Sequence, residues 1–182
     1  LTLAVHTILK HLDSPGIVRV LCIDFAKAFD KISHRIILKT LVDFNLPRCL
    51  VLFICDYLAD RHFIVTCGDK ASSWVSITSG VPQGSILGPI LFTLAVNSLS
   101  PITACSLLMK YADDMTLIHW ASTLLEDKLD LEWANILDWA DSHDMFLNYK
   151  KTKILDYITI KSLTSSLAPL ATPDGSYIAL ST

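Results

Sequence analysis

The chain has 182 residues, 52% hydrophobic and 18% charged, with a net charge of -3 and a pI of about 6.0. That length allows one domain with a substantial core, and the acidic balance argues against a free-standing nucleic-acid binder, which needs a basic surface. Mean hydropathy is +0.46, yet no apolar run approaches a membrane span: Cys49-Leu50-Val51-Leu52-Phe53-Ile54-Cys55 is broken at once by Asp56.

Residues 3–12 have helical apolar spacing through Val5, Ile8, Leu9 and Leu12, stopped by Asp13-Ser14-Pro15-Gly16. Ile17-Val18-Arg19-Val20-Leu21-Cys22-Ile23 is a β-branched, mostly apolar run. It reads as a buried strand that delivers Asp24 at its carboxyl end. Ser33 suits an N-cap, and residues 35–44 and 48–58 read as helices divided by Asn45-Leu46-Pro47. Strands at 62–67 and 74–78 flank a Gly68-Asp69-Lys70 turn. A loop, Gly80-Val81-Pro82-Gln83-Gly84-Ser85, leads into a helix over 85–99 whose first turn is made irregular by Gly88-Pro89. Tyr111-Ala112-Asp113-Asp114 sits between the apolar runs 107–109 and 115–118, the pattern of a β-hairpin with two carboxylates at its turn. An amphipathic helix over 123–142 follows, with Leu125, Leu129, Trp133, Ile136, Leu137 and Ala140 on one face. Trp133 and Trp139 resemble base-stacking aromatics, but their helical spacing favours core packing. Strands at 153–160 and 176–180 end the chain. The sum is an α+β fold, an antiparallel sheet backed by helices, with no internal repeat.

Two adjacent aspartates in a polar turn repel, and a divalent cation relieves that repulsion. By itself the pair is ordinary turn chemistry. The glycines of residues 80–85 let backbone approach a ligand closely, Pro82 stiffens the loop, and Gln83 offers a donor and an acceptor. The five cysteines, Cys22, Cys49, Cys55, Cys67 and Cys105, match no zinc or disulfide spacing. They read as reduced, mostly buried thiols of an intracellular protein.

These segments occur in one order. Asp24-Phe25-Ala26-Lys27-Ala28-Phe29-Asp30 comes first, then residues 80–92, then Tyr111-Ala112-Asp113-Asp114, then Leu147-Asn148-Tyr149-Lys150-Lys151-Thr152-Lys153. In that conjunction the chain resembles the reverse transcriptase domain of non-LTR (LINE-like) retrotransposons. Residues 61–65 and 75–80 also resemble the family's hairpin before its glutamine loop, and the likeness runs from about Val18 to about Leu155. Many elements carry Phe where Tyr111 stands, and Tyr occurs across reverse transcriptases generally.

The resemblance implies a polymerase palm with partial fingers and a missing thumb, forming one domain over 1–182. It implies RNA-directed DNA synthesis onto a primer 3′-OH, with an RNA template, a DNA primer and deoxynucleoside triphosphates as partners and no membrane. Two Mg²⁺ ions, or Mn²⁺, would be held by Asp24 and Asp113, with Asp114 alongside and the Phe25 carbonyl as an extra ligand. Lys151 would assist the leaving pyrophosphate, although Lys150 or Lys153 is easily confused with it. Phe29, five positions beyond Asp24, would exclude a ribose 2′-OH, or else is simply core. Gln83, Gly84 and Tyr111 would contact substrate.

Both ends look cut: the fingers region is represented at most by residues 3–12, and no thumb or signal peptide is visible. The chain alone is therefore expected to be inactive, with a non-catalytic remnant as the alternative. A group II intron maturase or telomerase shares the mechanism but fits these motifs less well. For a retroelement polymerase, cytoplasm and nucleus are the expected locations.

Overall fold

The computed structural model describes residues 2–159 and 167–180. In chain order its elements are α1 (Thr2–Leu12), β1 (Ile17–Ile23), α2 (Ala28–Lys31), α3 (His34–Asp43), α4 (Arg48–Leu58), β2 (His62–Phe63), β3 (Thr66–Cys67), β4 (Lys70–Ala71) and β5 (Val75–Ser76). Then come α5 (Leu87–Val96), β6 (Ser106–Tyr111), β7 (Asp114–Ala121), a 3₁₀ turn at Leu124–Glu126, α6 (Leu129–Ser142), β8 (Lys153–Ile158) and β9 (Ala179–Leu180). The last residue of the expected strand 153–160, Ile160, lies outside the described residues. Two compact units result: Leu1–Ala26 with Leu99–Ser142 and Phe146–Thr182, and Lys27–Ser98 with His143–Met145.

The first unit holds a five-stranded sheet in the order β6-β7-β1-β8-β9. β1 is central and antiparallel to both β7 and β8, β6 is antiparallel to β7, and the short β9 runs parallel to β8. Both faces of β1 are buried, so its sequence lacks the in–out alternation of a half-exposed strand. On one face Val18, Val20 and Ile118 form a cluster against Ala4, Ile8 and Leu12 of α1. That stripe repeats every four residues. It turns Val5 and Leu9, expected on the buried face, out to solvent.

On the opposite face Ile17, Leu21 and Ile23 lie with Met115 and Leu117, all buried. α6 is tied to this side: Lys128 N–H donates to His119 Nε2 at 3.1 Å, and Trp139 meets Phe25 edge-on. Trp133 and Trp139 are both core, as their spacing predicts. The expected continuous helix 123–142 is broken, and Leu125 is 97% exposed rather than on its apolar face. The cause is Asp127. Its extended backbone leaves the 3₁₀ turn, and its carboxylate accepts Leu129 N–H at 3.2 Å and pairs with Arg19.

The sheet also buries charge. Arg19 is 2% exposed and His119 and Glu132 are 0% exposed. Arg19 donates from Nε to Asp156 Oδ1 at 2.9 Å, from Nη1 to Asp127 Oδ2 at 2.9 Å and from Nη2 to the Ala168 carbonyl at 3.1 Å. Glu132 accepts Ile102 N–H and Thr103 N–H at 3.1 and 2.8 Å, and the Thr103 hydroxyl at 2.6 Å. Among the described residues no buried side-chain nitrogen or oxygen lacks a partner, as burial of polar groups requires.

Among the buried apolar side chains of the second unit are Ile36, Ile37 and Leu41 of α3, Ile54 and Leu58 of α4, and Leu91, Phe92, Ala95 and Val96 of α5. Ser33 stands at the N-cap of α3 as expected, but its side chain makes no capping hydrogen bond. The expected hairpin is reduced to two two-residue ladders, β2–β5 and β3–β4. Between them Val65 and Ser72 bond to each other through backbone and the Ser72 hydroxyl, and Lys70 is in a strand rather than the turn. α5 starts at Leu87, where Gly88 N–H donates to Ser85 Oγ at 3.0 Å.

Much apolar surface stays exposed, including Leu50, Leu52 and Phe53 on α4. The cysteines depart from expectation: Cys49, Cys67 and Cys105 are exposed and Cys22 and Cys55 half-buried. Cys49 and Cys55 fall on α4, Cys67 on the small hairpin and Cys105 before β6, while Cys22 lies in β1 at the edge of the cluster of Val18, Val20 and Ile118. Among the described residues no helix is long and apolar enough to cross a membrane.

Burial lowers the pKa of His119 below the ordinary histidine value, against the opposing pull of Asp127. Its Nε2 accepts Lys128 N–H, so the neutral ring carries its proton on Nδ1, 2.9 Å from Ser106 Oγ. A histidine held neutral in the fold binds more protons when unfolded, so stability falls as pH drops through about 6.5. The thermal midpoint should therefore fall between about pH 7 and pH 5, and fall less in His119→Gln. Equal slopes in the two proteins would show that another group carries the effect.

Candidate active site

At the end of β1, Ile23 pairs with Met115. Asp24 follows Ile23 and Asp114, the first residue of β7, precedes Met115, so the same register continued by one step would set the two aspartates opposite each other. Side chains alternate along a strand, so Cys22, Asp24, Asp114 and Thr116 share one face. The thiol of Cys22 senses this: burial pushes its pKa up, the Thr116 hydroxyl pulls it down, and the Asp114 charge pushes it up again. Tyr111 closes β6 by pairing with Asp114, which leaves Ala112 and Asp113 as a two-residue turn. Ala112 is held at φ 53, in the left-handed region, at a cost of about 1–2 kcal/mol for a residue with a Cβ. Tyr111, Asp113 and Asp114 are exposed.

The other flank of Asp24 is clamped by the approach to β8. Asp24 N–H donates to Thr152 Oγ1 at 3.3 Å, Asn148 N–H donates to the Asp24 carbonyl at 2.8 Å, and Ala26 N–H donates to the Phe146 carbonyl at 2.7 Å. These bonds frame an antiparallel bridge between Phe25 and Leu147. Neighbouring residues in such a ladder face opposite sides, so the Phe25 carbonyl turns away from Leu147. Lys151 Nζ lies 4.0 Å from Asp24 Oδ1 on a side chain that is 71% exposed. Lys153 sits in β8 opposite Cys22. Of the lysines weighed above, Lys151 is thus the one paired with Asp24.

Three carboxylates and a backbone carbonyl are hard oxygen donors, the chemistry that suits Mg²⁺ or Mn²⁺ rather than zinc. Among the described residues, however, no three His, Cys, Asp or Glu side chains are gathered closely enough to hold a metal ion. The ammonium of Lys151 stands beside Asp24.

Phe29, Gln83 and Gly84 belong to the second unit. They line one cavity of about 260 Å³ with Val81, Pro82 and Gly88. The Phe29 ring rests on Phe92, with centroids 4.5 Å apart, and its carbonyl accepts Val81 N–H at 2.8 Å. Phe29 is therefore both packed and presented. Gln83 Nε2 donates to Asp30 Oδ1 at 2.6 Å. The two loop glycines differ in purpose. At Gly80, φ is 83 and an added Cβ would lie 2.6 Å from the Asp30 carbonyl oxygen, so its close approach is to the protein's own backbone rather than to a ligand. At Gly84, φ is 78 and the space beyond is open.

Sequence reasoning passed over Arg19, His119, Asp127 and Asp156. The available signal was Arg19 itself, the one charge inside an otherwise apolar strand. It also missed the pairing of Asp30 with Gln83, whose residues are remote in sequence.

The family model for reverse transcriptase (RNA-dependent DNA polymerase) matches residues 5–166. The probable RNA-directed DNA polymerase from transposon BS of Drosophila melanogaster is 31% identical over 91% of this chain and 20% of its own length. The retrovirus-related Pol polyprotein from type-1 retrotransposable element R2 of Popillia japonica is 28% identical over 87% of this chain and 28% of its own. The chain thus spans about a fifth to under a third of these relatives. Among solved structures, apo telomerase from Candida tropicalis, truncated from its C-terminal domain, superposes with a TM-score of 0.59 at 15% identity, over 84% of this chain and 33% of that one. At that identity the likeness is one of fold, and it agrees with the expected palm.

The glycine geometry sets a stability contrast. Gly80→Ala should lower unfolding free energy by more than about 2 kcal/mol, left-handed strain being added to a backbone clash, and Gly84→Ala by only about 1 kcal/mol. Urea unfolding measures both; equal losses would mean that the Asp30 backbone does not abut Gly80.

Proposed function

The chain belongs to the reverse transcriptase (RNA-dependent DNA polymerase) family, and we propose that it carries the nucleotidyl-transfer site of a non-LTR retroelement polymerase that copies RNA into DNA. The observation that supports this best is the ladder that ends at Ile23 against Met115, with Asp24 next on the central strand and Asp114, beside a strained two-residue turn bearing Asp113, next on β7. In this reading Asp24, Asp113, Asp114 and the Phe25 carbonyl hold divalent metal. Bound Mg²⁺ or Mn²⁺ would supply Lewis-acid stabilisation of the attacking and leaving oxygens. Lys151, exposed and paired with Asp24, offers a cation or a proton to the departing pyrophosphate. Tyr111, 84% exposed next to the turn, offers an aromatic face to the substrate.

In the second unit the Phe29 cavity is the place for a deoxyribose, because a 2′-OH there meets the ring. Gly84 leaves its rim open, and the amide of Gln83 is free to exchange Asp30 for a nucleotide. An RNA template, a DNA primer and deoxynucleoside triphosphates are the partners of this reading. Its support is the family and the names of relatives, which are RNA-directed DNA polymerases of mobile elements.

Primer extension on an RNA template with Mg²⁺ tests the proposal in the chain extended at both ends by native flanking sequence. Asp113→Asn should reduce extension by roughly 10²-fold or more with little loss of fold. Normal extension would remove Asp113 from the site. Phe29→Ala should narrow the preference for dNTP over rNTP by roughly tenfold. An unchanged preference with activity retained would leave Phe29 a packing residue only.

A further inference from the structure

Every residue of β1 except Arg19 is apolar, and both faces of the strand are buried. A slip of one residue would turn each side chain to the opposite face and is strongly opposed. A slip of two keeps every side chain on its face and exchanges one aliphatic residue for another. Apolar burial therefore discriminates weakly against it. Arg19 discriminates strongly. In the observed register it lies directly between His119 of β7 and Asp156 of β8. Its guanidinium bonds Asp156, Asp127 and the Ala168 carbonyl, and Asp127 Oδ1 lies 3.4 Å from His119 Nε2. A two-residue slip would carry the guanidinium roughly 6–7 Å along the sheet. It would leave Asp127 and Asp156, whose side chains are 12% and 11% exposed, without their counter-charge.

We propose that the ion network of Arg19, Asp127 and Asp156 is the register lock of β1, and that Arg19 is a positioning residue which sets Asp24 opposite Asp114 from five residues away. A buried ion network adds little net stability over an apolar replacement, and selecting one pairing among several is its best-attested use. The lock stands on the ladder itself. Only its consequence for catalysis rests on the polymerase reading.

Native Cys22 provides the test, because Thr116 is its direct partner across the ladder. Thr116→Cys reports the observed register by disulfide formation under mild oxidant, and Asp114→Cys and Ile118→Cys report two-residue slips in either direction. Each reporter is placed in three backgrounds of the 182-residue chain: native, Arg19→Lys, and Arg19→Met with Asp127→Asn and Asp156→Leu, which leaves no buried charge unpaired. In the native and Arg19→Lys backgrounds the cross-link to position 116 should exceed those to 114 and 118 by about tenfold or more. In the triple variant, still cooperatively folded by circular dichroism, that preference should fall by about tenfold.

A folded triple variant that keeps the native preference would overturn the proposal. So would a triple variant that fails to fold, since the network would then serve stability rather than register. Cross-linking needs neither metal nor nucleotide, so failure of the polymerase reading leaves it untouched. If register scrambles in the triple variant while the same three substitutions leave primer extension by the flank-extended chain unchanged, the lock stands and the assignment of the carboxylates is what fails.

Discussion

The backbone ladder that holds β1 between β7 and β8 is the constraint on which the rest depends. Its pairing with β7 runs from Ile17 against Ala121 to Ile23 against Met115, and its pairing with β8 from Ile17 against Ile158 to Cys22 against Lys153. One register on each flank thus decides what Asp24 meets. On the β7 side it follows the last ladder pair, Ile23 against Met115, whose neighbour on β7 is Asp114; on the other side it meets Thr152 and Lys151. Hydrogen bonds from Asn148 and to Phe146 extend the clamp past the strand end, so Asp24 is held on a fixed backbone rather than on a free loop. A carboxylate placed this way would have little orientation entropy to lose on binding a ligand.

Charge and strain concentrate at the same end. Ala112 is held left-handed, Asp113 and Asp114 are adjacent and exposed, and Asp24 shares a face with Asp114. Each feature opposes folding, and each persists because the ladder behind it over-determines the turn. The opposite end of the sheet is different. There Arg19, His119 and Glu132 are buried, and Arg19 is matched by the half-buried Asp127 and Asp156. One end is compensated within the protein, while the other presents negative charge outward, where a cation or a cationic side chain is needed.

Local signals carried the strands and helices with strong periodicity. β1 was bounded to the residue by its β-branched run and by Pro15-Gly16 and Asp24 around it, and α4 by Pro47 before it. The hairpin at Tyr111–Asp114 followed from two apolar runs around a polar pair. Legibility failed where tertiary partners overrode the local pattern. Leu125 lay in phase with the helix, but Asp127 was claimed by Arg19 and Leu129 N–H, which ended the turn. Val5 and Leu9 fitted a helical stripe as well as Ala4 does, and only the shape of the sheet chose between them. At the site, the residue types were legible and their geometry was not: no spacing shows that Gly80 abuts Asp30, or that Gln83 is bonded to Asp30.

The central claim is that β1 and the β6–β7 turn together present a divalent-cation site at Asp24, Asp113 and Asp114. Iron-mediated backbone cleavage tests it without reference to turnover, because Fe²⁺ accepts the same oxygen ligands and cuts chain only where it is bound. With Fe²⁺, ascorbate and peroxide, the account predicts cuts close to Asp24 and Asp113, suppressed by excess Mg²⁺ and lost in Asp24→Asn. Cuts elsewhere in the chain, or cuts at these positions that survive both Mg²⁺ and Asp24→Asn, would contradict it.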